Sequence, residues 1–221
     1  MKKQNKILLV QPHSDDVLFS ASKFLLNRED YGSVVLLTVE NSPLRNKEDE
    51  ELANLFNLKD IHLEGLVNDE SYYHFYKEDK KRVFSFKKSY ESIKEYLGND
   101  KLKEIRKNLN KKVDYYKEKG YTIVCCLGVG HPTHYFVRKC IEDRVDLFYR
   151  DFPHSYKRKT QNCVETEISD FKLSETYKLS KEEHELKWQI AYQVYKTQRS
   201  LLFFEKGYID KNLPEEYYVK K

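Results

Sequence analysis

Apolar positions along the chain fall into two alternating rhythms. Short runs at 7–11, 33–39, 60–63, 121–127 and 145–149 have the length and composition of strands, several of them buried on both faces. Between them, apolar residues recur at helical spacing. This pattern predicts helices over 17–27 and over 46–57, the latter with Leu52, Leu55 and Phe56 on one face. It predicts another where Leu102, Ile105, Leu109, Val113 and Tyr116 recur before Gly120 ends the run. A helix over 132–142 opens with proline in its first turn, and one over 181–196 is expected to bury Leu186, Ile190 and Val194. Alternation of this kind predicts a single α/β domain spanning residues 1–221, Rossmann-like, with a largely parallel sheet and helices on both faces. No Gly/Ser/Pro-rich linker divides it, and no internal repeat is present.

The interval 69–99 breaks the rhythm. Tyr72, Tyr73, Phe75, Tyr76, Phe84, Phe86 and Tyr90 are interleaved there with Lys77, Lys80, Lys81, Arg82, Lys87 and Lys88. Such interleaving can stack single-stranded nucleic acid. No RNP-like or OB-like pattern accompanies it, so it is read as a helical insertion whose aromatics pack down near the mouth of a site. Charge supports that choice. The 40 cations and 36 anions leave a net charge of +4, too even to imply a nucleic-acid partner.

The Lys-rich N-terminus is followed by only four apolar residues, Ile7 to Val10, too few for the core of a signal peptide, and no stretch approaches the length of a membrane span. Cys125, Cys126, Cys140 and Cys163 form neither CxxC pairs nor a disulfide-like spacing. A reduced, cytoplasmic protein is expected.

Candidate chemistry sits where strands end. Pro12-His13-Ser14-Asp15-Asp16 follows the first strand, and Gly130-His131-Pro132-Thr133-His134 follows the strand at 121–127. Alone, Ser14-Asp15-Asp16 reads as an ordinary helix N-cap with acidic residues favoured by the macrodipole. Together the two clusters say more. Parallel strands would bring both to one edge of the sheet, where ligands of open α/β sheets gather. His, Asp and His converging there is the donor chemistry of a catalytic zinc with an open position.

These segments resemble those of the LmbE-like, or PIG-L-type, metal-dependent de-N-acetylases, whose first strand ends in a His-Pro-Asp-Asp-Glu-like motif and whose later loop carries His-Pro-Asp-His. Further likenesses are Thr38-Val39-Glu40-Asn41, Arg45 before Glu48 and Ala53, Asp151-Phe152-Pro153-His154, and Lys187, Ala191, Thr197 and Gln198. The resemblance runs to about Leu202, with 69–99 outside it. It implies removal of an N-acetyl group from an N-acetylglucosamine-type sugar or glycoconjugate, with one Zn2+ or another divalent metal per chain. His13, Asp16 and His134 would be the metal ligands, and Asp15 the general base. His131 would face the developing oxyanion or protonate the leaving amine. A three-ligand zinc leaves a position for water and lowers its pKa to about 7. Two positions depart from the family pattern: Val17 replaces the acidic residue after the Asp pair, and Thr133 replaces the Asp between the histidines.

Arg45 and Asp69, after the second and third strands, are expected at the mouth of the cleft as substrate-binding residues, suited to sugar hydroxyls or, for Arg45, a phosphate. The alternative is a relative that keeps the metal and binds sugar, or regulates, with weak or no turnover. A dinucleotide-binding protein would need glycines in the turn that His13-Ser14-Asp15-Asp16 occupies, and a serine hydrolase would need a Gly-x-Ser-x-Gly elbow; neither is present.

Overall fold

Seven strands form one sheet: β1 (Lys6–Gln11), β2 (Ser33–Glu40), β3 (Lys59–Leu66), β4 (Tyr121–Cys126), β5 (Leu147–Tyr149), β6 (Phe171–Tyr177) and β7 (Glu215–Lys220), in the order β3-β2-β1-β4-β5-β7-β6. The first five in that order are parallel, whereas β7 runs antiparallel to both β5 and β6. The helices are α1 (Asp16–Ser20), α2 (Lys23–Leu26), α3 (Pro43–Leu55), α4 (Phe86–Glu118), α5 (Pro132–Ile141), α6 (Lys181–Val194) and α7 (Lys206–Ile209). The computed structural model describes residues 5–40, 42–66, 86–129, 131–156, 168–200 and 206–221. Asp69, Asn41, Gly130, Cys163 and the aromatic–basic stretch up to residue 85 lie outside them. The architecture is a Rossmann-like α/β fold. Among the described residues no helix is long and apolar enough to cross a membrane.

Burial explains why the central strands read as unbroken apolar runs. Leu8, Leu9 and Val10 of β1, Leu36 and Leu37 of β2, and Ile123 and Val124 of β4 are all shut off from solvent. Helices cover both faces, so alternate residues have no watery side to point to. α4 and α5 pack together, and α6 packs against α1 and α3.

Several sequence expectations need correction. The helix expected over 17–27 is two short ones. The chain restarts at Ser22 because the buried Glu215 carboxylate accepts the backbone N–H groups of Ser22, at 2.9 Å, and Lys23, at 3.1 Å. Leu55 of α3 and Leu186 of α6 face solvent, 57% and 47% exposed. α6 does bury the expected Ile190 and Val194, together with Lys187, Trp188 and Ala191. Of the helical insertion expected over 69–99, residues 86–99 are helical and run on into the helix expected at 102–116 as one 33-residue α4, while 69–85 lie outside the described residues. Strands β6 and β7 escaped the reading because β6 is an edge strand with a mostly exposed, charged sequence, which lacks the apolar run that marks a buried strand.

A candidate metal centre at the carboxyl edge of the sheet

The strand order reverses direction between β1 and β4, the place where open α/β sheets leave a crevice outside their strand ends. The two chemical clusters leave these two neighbouring strands. Gln11, the last residue of β1, closes the 12–16 loop by accepting the Val17 N–H on Oε1 at 3.1 Å. Its Nε2 donates to Thr38 Oγ1 at 2.8 Å and to both oxygens of Asp49. Asp15 sits in this loop at φ 155°, a conformation rare for a side-chain-bearing residue and one that recurs at functional sites. On the other strand, Gly128 has φ +73°, and a Cβ there would lie 2.9 Å from the His134 carbonyl oxygen. Only glycine lets α5 come this close and deliver His134 from its first turn.

The donor atoms converge. His13 Nδ1 lies 3.0 Å from His134 Nε2, and the Asp16 carboxylate lies 3.3 Å from each of these nitrogens. Tetrahedral zinc with ligand bonds of about 2.0–2.1 Å has ligand–ligand edges of about 3.3–3.4 Å. Two imidazole nitrogens 3.0 Å apart, each 3.3 Å from a different oxygen of the Asp16 carboxylate (Oδ2 for His13, Oδ1 for His134), match the ion in donor type and come close to its spacing. The three residues are buried, at 5%, 3% and 1% exposure for His13, Asp16 and His134. Asp16 Oδ2 also accepts the His13 backbone N–H at 2.8 Å, which fixes the carboxylate between the rings.

Asp151 completes the centre from behind. Its Oδ1 is 2.6 Å from His134 Nδ1, and its Oδ2 accepts the Val129 N–H at 3.0 Å. With Nδ1–H donating to Asp151, neutral His134 turns its Nε2 lone pair toward His13 and Asp16, the tautomer that a metal requires. Without a cation, burial opposes charging of His134 but is outweighed by Asp16 and Asp151, which raise its pKa to about 9. Burial likewise raises Asp16, yet His134 and His13 hold its carboxyl well below the usual range. Burial pushes Asp15 up to about 8, against the lowering pull of Arg45.

Of the residues expected to act here, the structure brings together His13, Asp15, Asp16, His131, His134 and Arg45. The rings of His13, His131 and His134 offer one nitrogen each within 4.8 Å of one another. Arg45 does not extend into open solvent: its guanidinium contacts Asp15 Oδ1 at 3.2 Å and Glu40 Oε2 at 2.8 Å. Lys187, part of the late family-like pattern, stands apart, donating to the Phe19 carbonyl at 2.8 Å and pairing with Glu215 at 3.0 Å.

Sequence reasoning gave no role to Asp151, Glu40 or His154. Asp151 follows β5, and Glu40 ends β2, so a position at the carboxyl end of a parallel strand was the available signal. His154 packs on the His131 ring, with centroids 4.9 Å apart, and on His134 at 5.3 Å. Four of the seven histidines thus meet in one cluster. The chain matches no protein-family model and no curated protein.

Proposed function

We propose that this chain is a divalent-metal hydrolase that removes the N-acetyl group from an N-acetylglucosamine-type sugar or glycoconjugate, as its likeness to LmbE-like, PIG-L-type de-N-acetylases implies. The observation that carries the reading is the 3.0–3.3 Å triangle of His13 Nδ1, His134 Nε2 and the Asp16 carboxylate at the β1/β4 switch point. His13, Asp16 and His134 would hold zinc, which supplies a Lewis acid for the amide carbonyl and acidifies water.

The remaining steps belong to the chain. Asp15, next to a ligand and not itself one, takes the proton of the attacking water as its oxygen adds to the acetamide carbon. Arg45, 3.2 Å from Asp15, keeps that carboxylate pointed and favours its ionised form. His131 gives a proton to the amine nitrogen as the C–N bond breaks, leaving acetate and a free amino sugar. Thr133 lacks the family's carboxylate, and the His154 ring packs on His131 and helps to fix it. Burial of the whole centre excludes bulk water and strengthens each of these interactions. We take the enzyme to be cytoplasmic, since the buried thiols of Cys125, Cys126 and Cys140 are free.

The test is a panel of N-acetylated sugars, nucleotide sugars and glycosides incubated with zinc-loaded protein. Equimolar acetate and free amine from at least one N-acetylglucosamine compound, abolished by a chelator, is the expected result. No release across the panel would overturn it. The metal-retaining sugar-binding or regulatory relative would then stand, a reading favoured by Thr133 in place of the carboxylate between the two histidines.

A further inference from the structure

A second group of metal-ligating side chains lies on the other side of Gln11, away from the histidine cluster. Gln11, Thr38 and His62 are register partners across β1, β2 and β3 and so share one face of the sheet. Asp60, two residues before His62 on β3, points to the same face. Asp49 of α3 stands over this row, held by Thr38 Oγ1 donating at 2.6 Å and by Gln11 Nε2 at 3.0 Å. Asp49, Asp60 and His62 bring one carboxylate oxygen or ring nitrogen each within 4.8 Å of the others.

What the cluster lacks points to its ligand. Asp60 pairs with His62 at 2.7 Å through Oδ2 and Nε2. Asp60 Oδ1 and His62 Nδ1 are closed to solvent and have no hydrogen-bond partner. The Asp60 side chain is only 10% exposed. Among the described residues no Lys or Arg forms an ion pair with Asp49 or Asp60. Two carboxylates and one imidazole, largely withdrawn from water, form an oxygen-rich set suited to a borderline or hard divalent cation; the unpartnered atoms are on Asp60 and His62, while Asp49 is held by Gln11, Thr38 and Tyr195. Gln11 and Thr38 orient Asp49 from behind, as supporting residues do at metal sites.

We propose that Asp49, Asp60 and His62 form a second divalent-cation site, separate from the histidine centre. The ion would fasten α3 to β3, and with it Arg45, one turn before Asp49 on the same helix face. This proposal does not rest on the deacetylase reading.

Metal analysis of the intact protein tests it, after dialysis against Zn2+ and, separately, Mn2+. Wild type is expected to retain two equivalents of at least one ion, and His62→Ala and Asp60→Asn one. His134→Ala should also fall to one, and the His62→Ala/His134→Ala double variant to none. Asp60→Asn preserves shape, so it reports the loss even if His62→Ala fails to fold, as circular dichroism would reveal. A single wild-type equivalent that survives in Asp60→Asn and is lost in His134→Ala overturns the second site. A single equivalent lost in Asp60→Asn and kept in His134→Ala supports it and contradicts the histidine centre instead.

Discussion

Asp151 fixes one nitrogen of His134 and so decides what the other can do. Its 2.6 Å contact with Nδ1 leaves Nε2 to face Asp16 and His13. Asp151→Asn preserves shape but removes the charge that raises the basicity of the ligand. Zinc affinity should fall about 10–100-fold, the usual scale for a lost supporting carboxylate. Titration against a competing chromophoric chelator measures this, and an unchanged constant would mean that His134 does not bind metal through Nε2. The adjacent aspartates separate by role. Asp15→Asn should keep its zinc and lose turnover by about 100-fold or more, whereas Asp16→Ala should lose both. Zinc content of the two purified variants beside their kinetics decides it, and the reverse pattern would exchange the two roles.

At the scale of elements, two contacts fix how helices meet the sheet. Gly128 lets α5 approach β4, since an added Cβ would meet the backbone of His134 and Tyr135 at 2.9 and 3.0 Å. Gly120 also has positive φ, but a Cβ there meets nothing. Gly128→Ala should therefore cost about 1–3 kcal/mol from overpacking besides the backbone strain that Gly120→Ala also suffers. Its Tm should be the lower of the two by thermal unfolding; equal values would show that close approach does not limit α5. The second contact is Glu215, which caps α2 and neutralises the buried Lys187. Removing it leaves that ammonium unpaired, so Glu215→Ala should destabilise by about 3–5 kcal/mol, and Lys187→Met should recover part of the loss. Denaturant titration of the single and double variants checks this, and purely additive losses would contradict it.

The same elements show how far the sequence could be read. The parallel strands were legible because helices bury both their faces, which forces continuous apolar runs such as Ile7-Leu8-Leu9-Val10. Both chemical clusters were legible because each follows such a run. Leu186 was misassigned because helical spacing alone does not say which face meets the sheet. β7 was missed because its three apolar positions lie between charges (Glu-Glu-Tyr-Tyr-Val-Lys), and its buried Glu215 looks like a surface charge until Lys187 and Ser22 are seen around it. Asp49 was hidden in the acidic run Glu48-Asp49-Glu50-Glu51, although its spacing of four from both Arg45 and Ala53 marks the inward face.

Over the whole molecule, buried titrating groups set how stability depends on pH. Burial raises Asp15 from 3.8 to about 8 and Asp49 from 3.8 to about 7. Against the opposing effect of burial, Asp16 and Asp151 raise His134 from 6.5 to about 9. Each group binds its proton more tightly in the folded protein. The stability each contributes is complete below its ordinary value and is lost as pH rises through the raised one. Metal-free protein should therefore lose Tm between about pH 4, where the two aspartates begin to titrate in the unfolded chain, and about pH 9, where folded His134 does. Zinc takes the deprotonated form of His134, so the rise in Tm that it produces should grow between about pH 6.5 and 9. Thermal unfolding with chelator and with zinc, at matched pH, measures both trends. A zinc effect that shrinks with rising pH would contradict them.

Whether β1 and β4 deliver three donor atoms to one divalent ion can be seen in an anomalous-difference map at the zinc absorption edge from crystals soaked in Zn2+. A peak is expected about 2.0–2.1 Å from His13 Nδ1, His134 Nε2 and an Asp16 carboxylate oxygen. A map with no peak among these three residues, while their side chains are well defined, would contradict it.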